Sequence, residues 1–103
     1  MRALGPVVML LLALVATSYS ALPPPKLDGH VRSVSNKDLQ QITELIYGDM
    51  KKDFSHVVPI DRIEVRDHNN VVVYYHTEKY NWIVPMKRVH GAWSLPTERV
   101  VVT

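Results

Sequence analysis

Five histidines, His30, His56, His68, His76 and His90, are the side chains of this sequence best suited to metal binding or to proton transfer near neutral pH. Zinc needs three or four convergent ligands, which a sequence announces as an i, i+4 pair on a helix or a tight His-x-His ladder. These five fall instead in a proline-rich stretch, a loop, two turns and one strand. No metal site and no cofactor are expected, and the histidines read as surface groups that gain charge on acidification. Tyr74-Tyr75-His76-Thr77 gathers phenols, an imidazole and a hydroxyl, with Glu64, Asp67 and Glu78 close along the chain, a composition from which general acid–base catalysis is built. Strand alternation separates them, because Tyr75 points to one face while Tyr74 and His76 point to the other. Serine, histidine and aspartate are all present, but no Gly-x-Ser-x-Gly elbow raises a nucleophile. The sequence therefore predicts no catalytic residues and no enzyme.

Charge narrows the partners. Twelve lysines and arginines stand against ten aspartates and glutamates, a net charge of +2 with histidine neutral. Nucleic acids and acidic membranes call for a concentrated basic surface, whereas adjacent basic residues occur here only as Lys51-Lys52 and Lys87-Arg88. No nucleic-acid partner is expected. Lys87-Arg88 is also a dibasic processing signal, which would release a peptide beginning at Val89, but it falls inside a patterned strand. Cysteine is absent, so the domain must fold without the disulfides that stabilise most small secreted proteins.

The amino terminus supplies an address. Arg2, the apolar run over residues 7–16 and the small residues Thr17-Ser18-Tyr19-Ser20 form the three parts of a secretory signal peptide. The run is too short to cross ~30 Å of hydrocarbon as a helix, and Pro23-Pro24-Pro25 follow it, so no retained membrane anchor is expected. Cleavage after Ser20 divides the chain into a signal peptide (1–20), an extended, mobile, proline-rich arm (21–34) and a single α+β domain (35–103).

Within that domain the apolar spacing dictates the elements. Ser35 and Asp38 stand in capping-box positions at the start of a helix, in which Leu39, Ile42, Leu45/Ile46, Met50 and Phe54 recur every three or four residues. Gly48 marks a close approach of this helix to the sheet. Beyond Phe54 the period becomes two, predicting strands over 57–67, 71–77, 82–89 and 92–102, with Pro96 able to divide the last. Short loops make these an antiparallel meander. A three-residue loop His68-Asn69-Asn70, with one asparagine in the left-handed region, brings Ile63 and Val65 to the face of Val71 and Val73. Counting across the next turns sets Thr77 opposite Trp82, Tyr75 opposite Val84, Val73 opposite Met86, Arg88 opposite Trp93 and Met86 opposite Leu95. Val71, Val73, Tyr75, Trp82, Val84, Met86, Trp93 and Leu95 then lie under the helix.

One helix packed on a four-stranded antiparallel meander resembles, in architecture only, the cystatin-like and NTF2-like domains. The Gln-x-Val-x-Gly hairpin and Pro-Trp loop of a cystatin-type inhibitor do not occur. The sequence thus points to a small secreted non-enzymatic protein that binds another macromolecule, either an extracellular protein or a second copy of itself, or that serves as an extracellular structural component. Val72, Tyr74, His76, Ile83, Lys87 and Val89, on the face turned away from the helix, form the candidate interface. If His76 is desolvated there, acid weakens the contact. Two other readings are a carrier of a small apolar ligand lined by Trp82, Trp93 and Tyr75, and a precursor of peptides cleaved at Lys87-Arg88.

Overall fold

The computed structural model describes residues 22–102; the expected signal peptide and its cleavage site lie outside the described residues. Helix α1, Asn36–Phe54, begins where the Ser35 hydroxyl accepts the Asp38 N–H at 3.0 Å and the Asp38 carboxylate accepts the Ser35 N–H at 2.8 Å. This reciprocal box satisfies two donors that the first turn would otherwise leave unpaired. At the other end Ser55 takes a φ of 64° and returns its N–H to the Lys51 carbonyl at 3.1 Å, closing the helix. Ile42, Ile46, Tyr47 and Met50 form the buried stripe, flanked by half-buried Leu39, Leu45 and Phe54. Tyr47 widens the expected stripe, and its hydroxyl accepts the Ile60 N–H at 3.5 Å. Gly48 marks no close approach to the sheet: it is exposed, and a Cβ built on it meets nothing within 4 Å.

The helix lies on a mixed sheet of β1 (Lys26–Gly29), β2 (Ile60–Asp67), β3 (Asn70–His76), β4 (Asn81–Val89), β5 (Ala92–Ser94) and β6 (Val100–Val102). Their order is β1-β2-β3-β4-β5 with β6 also on β4, and β1 runs parallel to β2. Two features depart from the expected four-strand antiparallel meander. Residues 21–34 are not simply a mobile arm, because Lys26–Gly29 adds a strand to the sheet and a 3-10 turn, Val31–Ser33, follows. Gly29 permits the pairing: its φ is 78°, and a Cβ there would sit 2.3 Å from the Val65 carbonyl oxygen, which accepts the His30 N–H at 2.7 Å. The second departure is the strand expected over 92–102, which breaks into β5 and β6. Six residues lead from Ser94 to Val100 where four lead between their partners Lys87 and Ile83, and the surplus leaves the sheet as an excursion around Pro96. Pro85 lies where β4 has no outer neighbour among the described residues, since β5 covers residues 87–89 and β6 covers 81–83.

Register explains why the core survives these changes. Across the second hairpin Tyr75 pairs with Trp82, Val73 with Val84 and Val71 with Met86, two residues from the expected alignment because Asn81 belongs to the strand and not to the loop. A shift of two leaves every side chain on its face. Arg88 opposes Trp93 as expected. In the first hairpin Asp67 pairs with Asn70 around a two-residue turn, and neither asparagine has a positive φ. Parity is restored instead by a bulge between the Val65–Val71 and Asp67–Asn70 pairs, which leaves Arg66 exposed. The Asp67 carboxylate holds this turn by accepting the Asn69 N–H at 2.8 Å and Asn70 Nδ2 at 2.9 Å, bonds that keep its pKa below the ordinary carboxylate value. Ile63, Val65, Val71, Val73, Tyr75, Val84, Met86 and Trp93 consequently form one buried layer with the helix stripe.

Candidate interaction surface

The face of the sheet turned away from α1 carries the residues expected at an interface, and the ladder sets them in rows. Val72 pairs with Glu64 and Pro85, Tyr74 with Arg62 and Ile83, and His76 with Asn81. Their exposure differs. Val72 is 6% exposed and belongs to the interior of the face, not to its contact surface. Tyr74 is half-buried under the Arg62 guanidinium, 4.0 Å from the ring centre, and Arg62 also reaches Asp28 of β1 at 3.1 Å. His76 places Nδ1 2.7 Å from Asp61 Oδ2 with its side chain 63% exposed, so the desolvation that acid sensitivity would need is not present in the single chain. Ile83 is half-buried, while Lys87 and Val89 are exposed.

The apolar ground of this face is centred further along, on β6. Val100 pairs with Ile83 and Val102 with Asn81, so both join the outer face, and Val101 lies beside Trp82 on the other. Their exposures are 51%, 45% and 42% respectively. The alternation that runs from Trp93 through Leu95 already puts Val101 on the helix side and Val100 and Val102 outside. Treating 92–102 as one continuous strand hid their position at an open margin.

Backbone direction completes the site. The Arg88 N–H donates to the Asn69 carbonyl at 2.9 Å, so the even-numbered residues of β4 bond towards β3 and the odd-numbered ones towards β5 and β6. Asn81 and Ile83 therefore bond to Val102 and Val100, whereas the pair Trp82–Val101 is the unbonded one. Val101 turns its N–H and C=O out of the sheet.

Trp82 and Trp93 both lie on the helix side, Trp93 buried and Trp82 half-buried against the core. Trp93 is 6% exposed and donates Nε1 to Asp38 Oδ1 at 3.1 Å. Trp82 meets Phe54 edge-on at 5.2 Å and stacks on Tyr75 at 5.9 Å between ring centres. A depression of about 300 Å³ beside Trp93, bordered by Gln41, Glu44, Leu45 and Ala92, opens to solvent. Arg88 of the dibasic pair is engaged by Asp38 at 2.9 Å, by the Asn69 side chain at 3.3 Å and by the His68 carbonyl.

Among the described residues no group of three or more His, Asp or Glu side chains is placed to hold a metal ion, and no helix is long and apolar enough to cross a membrane. No protein family, curated protein or solved structure matches the chain.

Proposed function

We infer that this is a small secreted protein that acts by binding another macromolecule, without catalysis, through the outer face of its sheet and the margin formed by β4, β5 and β6. The distribution of exposed apolar surface carries this reading. Of the six large hydrophobic side chains exposed among the described residues, Val89, Val100, Val101 and Val102 lie on that margin, with only Leu27 and Tyr80 elsewhere. Half-buried Ile83 and Tyr74 continue the patch, and Lys87, His76 and Asn81 give it a polar rim, a composition typical of interfaces. Carriage of a small apolar ligand finds less support, because Trp93 is buried in the core and half-buried Trp82 is packed on Phe54 and Tyr75. Release of peptides at Lys87-Arg88 would require Arg88 to give up its bonds to Asp38, His68 and Asn69.

Cross-linking and mass spectrometry of protein from its native source test the reading. The expected product is an intact chain beginning at Ala21, joined to a protein through this face. A co-purified small ligand or a cut after Arg88 would favour the competitors, and an intact Met1 terminus on cytosolic protein would remove secretion. Replacing Tyr74 and Ile83 together with serine should abolish partner recovery while the fold persists; unchanged recovery rules the face out.

A further inference from the structure

We propose that the edge of β6 left unpaired among the described residues pairs with β6 of a second copy, antiparallel, about a two-fold axis through Val101. The inference rests on the binding surface just described and names its partner as the chain itself. Because Val101 turns both backbone groups away from β4, two copies of Val101 set opposite each other exchange two hydrogen bonds, as the narrow pair of an antiparallel ladder requires. The same operation puts Val100 of one copy against Val102 of the other on the outer face, and Val101 against Val101 on the Trp82 face. β-Branched side chains then meet on both sides of the joined sheet.

Charge favours an identical partner. β6 carries no ionic side chain, and the neighbouring Arg99 is neutralised within its own chain by Asp49 at 2.6 Å and Asp53 at 2.5 Å. No like charges are driven together across the axis. The other margins are guarded in the ways by which sheets avoid edge-to-edge association. β1 carries Lys26 and Asp28 and ends at the kink of Gly29, and Pro96 stands two residues beyond the end of β5. β6 has neither charge nor proline nor bulge. Three half-exposed valines bury far less than the roughly 800 Å² per partner of a stable complex, so the pairing is weak and depends on concentration.

Sedimentation equilibrium of the purified protein, its amino terminus fixed by mass, should show the average mass climbing from one chain towards two between about 10 μM and 1 mM, the range of a weak interface. Val101→Pro removes the N–H donated across the axis and none donated to β4, and Val100→Lys sets a charge against Val102 of the second copy. Each variant that keeps wild-type tryptophan emission should remain a monomer throughout, whereas Leu27→Lys, an exposed apolar position on β1 at the opposite margin of the sheet, should associate like wild type. A wild-type monomer at about 1 mM overturns the inference. So does association that survives in a folded Val100→Lys protein, or that is lost only in Leu27→Lys. A monomeric wild type whose native partner is lost on the paired Tyr74→Ser and Ile83→Ser changes would leave the binding surface standing and remove only the second copy.

Discussion

An arginine on an aspartate anchors each end of α1, Arg88 from β4 and Arg99 from the excursion before β6, yet the two clasps rest on opposite electrostatics. At the amino end the Asp38 carboxylate accepts the Ser35 N–H, Trp93 Nε1 and Arg88 Nη1, and it sits where the helix dipole favours a negative charge. The Ser35 N–H, then Trp93 and Arg88, hold its pKa below the ordinary value against the opposing effect of burial. At the carboxyl end Asp49 and Asp53 lie towards the negative pole of the dipole, and Arg99 bridges them. Burial pushes the Asp49 pKa up despite Arg99. The first clasp gathers three elements around hydrogen bonds that each member needs. The second compensates charges that helix and burial both disfavour, and its effect is to hold the excursion before β6 against the helix.

If the amino-terminal clasp carries the fold, its aromatic member should be the most costly to remove. Trp93→Ala should lose roughly 3–5 kcal/mol in urea unfolding, most of the stability of so small a domain. A variant with the wild-type midpoint would break the contrast between the two ends. Asp38→Ala comes next, because it removes the half of the capping box that accepts the Ser35 N–H and strips the partly buried Trp93 and Arg88 of their acceptor. A loss of about 2 kcal/mol is expected from these combined, with fluorescence reporting a loosened Trp93.

The carboxyl end offers the reverse effect. The Tyr75 hydroxyl is buried with no hydrogen-bond partner among the described residues, and its pKa is pushed up to about 12, by burial first. Tyr75→Phe removes an unsatisfied group and should stabilise the protein by about 1 kcal/mol. A loss of stability on this change would mean that the hydroxyl has a partner, and that the two ends are equally well satisfied.

How much of this was legible from sequence follows from which interactions are local. The capping box, the helix stripe and the face of each strand come from spacing over a few residues, and they withstood a two-residue register shift because parity did not change. β1 was hidden, since four residues of Lys-Leu-Asp-Gly carry no strand pattern and pair only because Gly29 lets the backbone approach Val65. The bulge at Arg66 was hidden for a similar reason: the hydrophobic pattern demands restored parity without saying whether a loop or a bulge supplies it. Alternation places Tyr74, Ile83 and Val89 on one face of the sheet, yet Val72 is interior there and the valines of β6 hold the larger share of exposed apolar surface. Lateral cover from Pro85 and Glu64, and the outward excursion at Pro96, depend on residues distant in sequence. Neither Asp38 with Arg88 nor Asp49 with Arg99 could be paired before the fold was known, as both span about fifty residues.

The smallest expected effect separates the two clasps most cleanly, because it has opposite signs at the two ends. Asp38 has a folded pKa below its unfolded value near 3.8, so its stabilisation is fully present above that value and is lost as the pH falls through the folded pKa. Asp49 has a folded pKa above 3.8, so the folded state takes up its proton first, and its ionised form weighs against folding at neutral pH. That burden lifts as the pH falls through the folded value. Urea unfolding of wild type, Asp38→Asn and Asp49→Asn from pH 7 to pH 3 should therefore give diverging profiles. Asp38→Asn should be weaker than wild type at pH 7, with a shallower loss into acid. Asp49→Asn should stay within about 1 kcal/mol of wild type at pH 7, since Arg99 keeps Asp53, and should lose stability more steeply towards pH 3 because the compensating proton uptake is gone. Parallel profiles for the two variants would show that both aspartates act alike, and the distinction between a clasp that holds the fold and one that holds the excursion would fall.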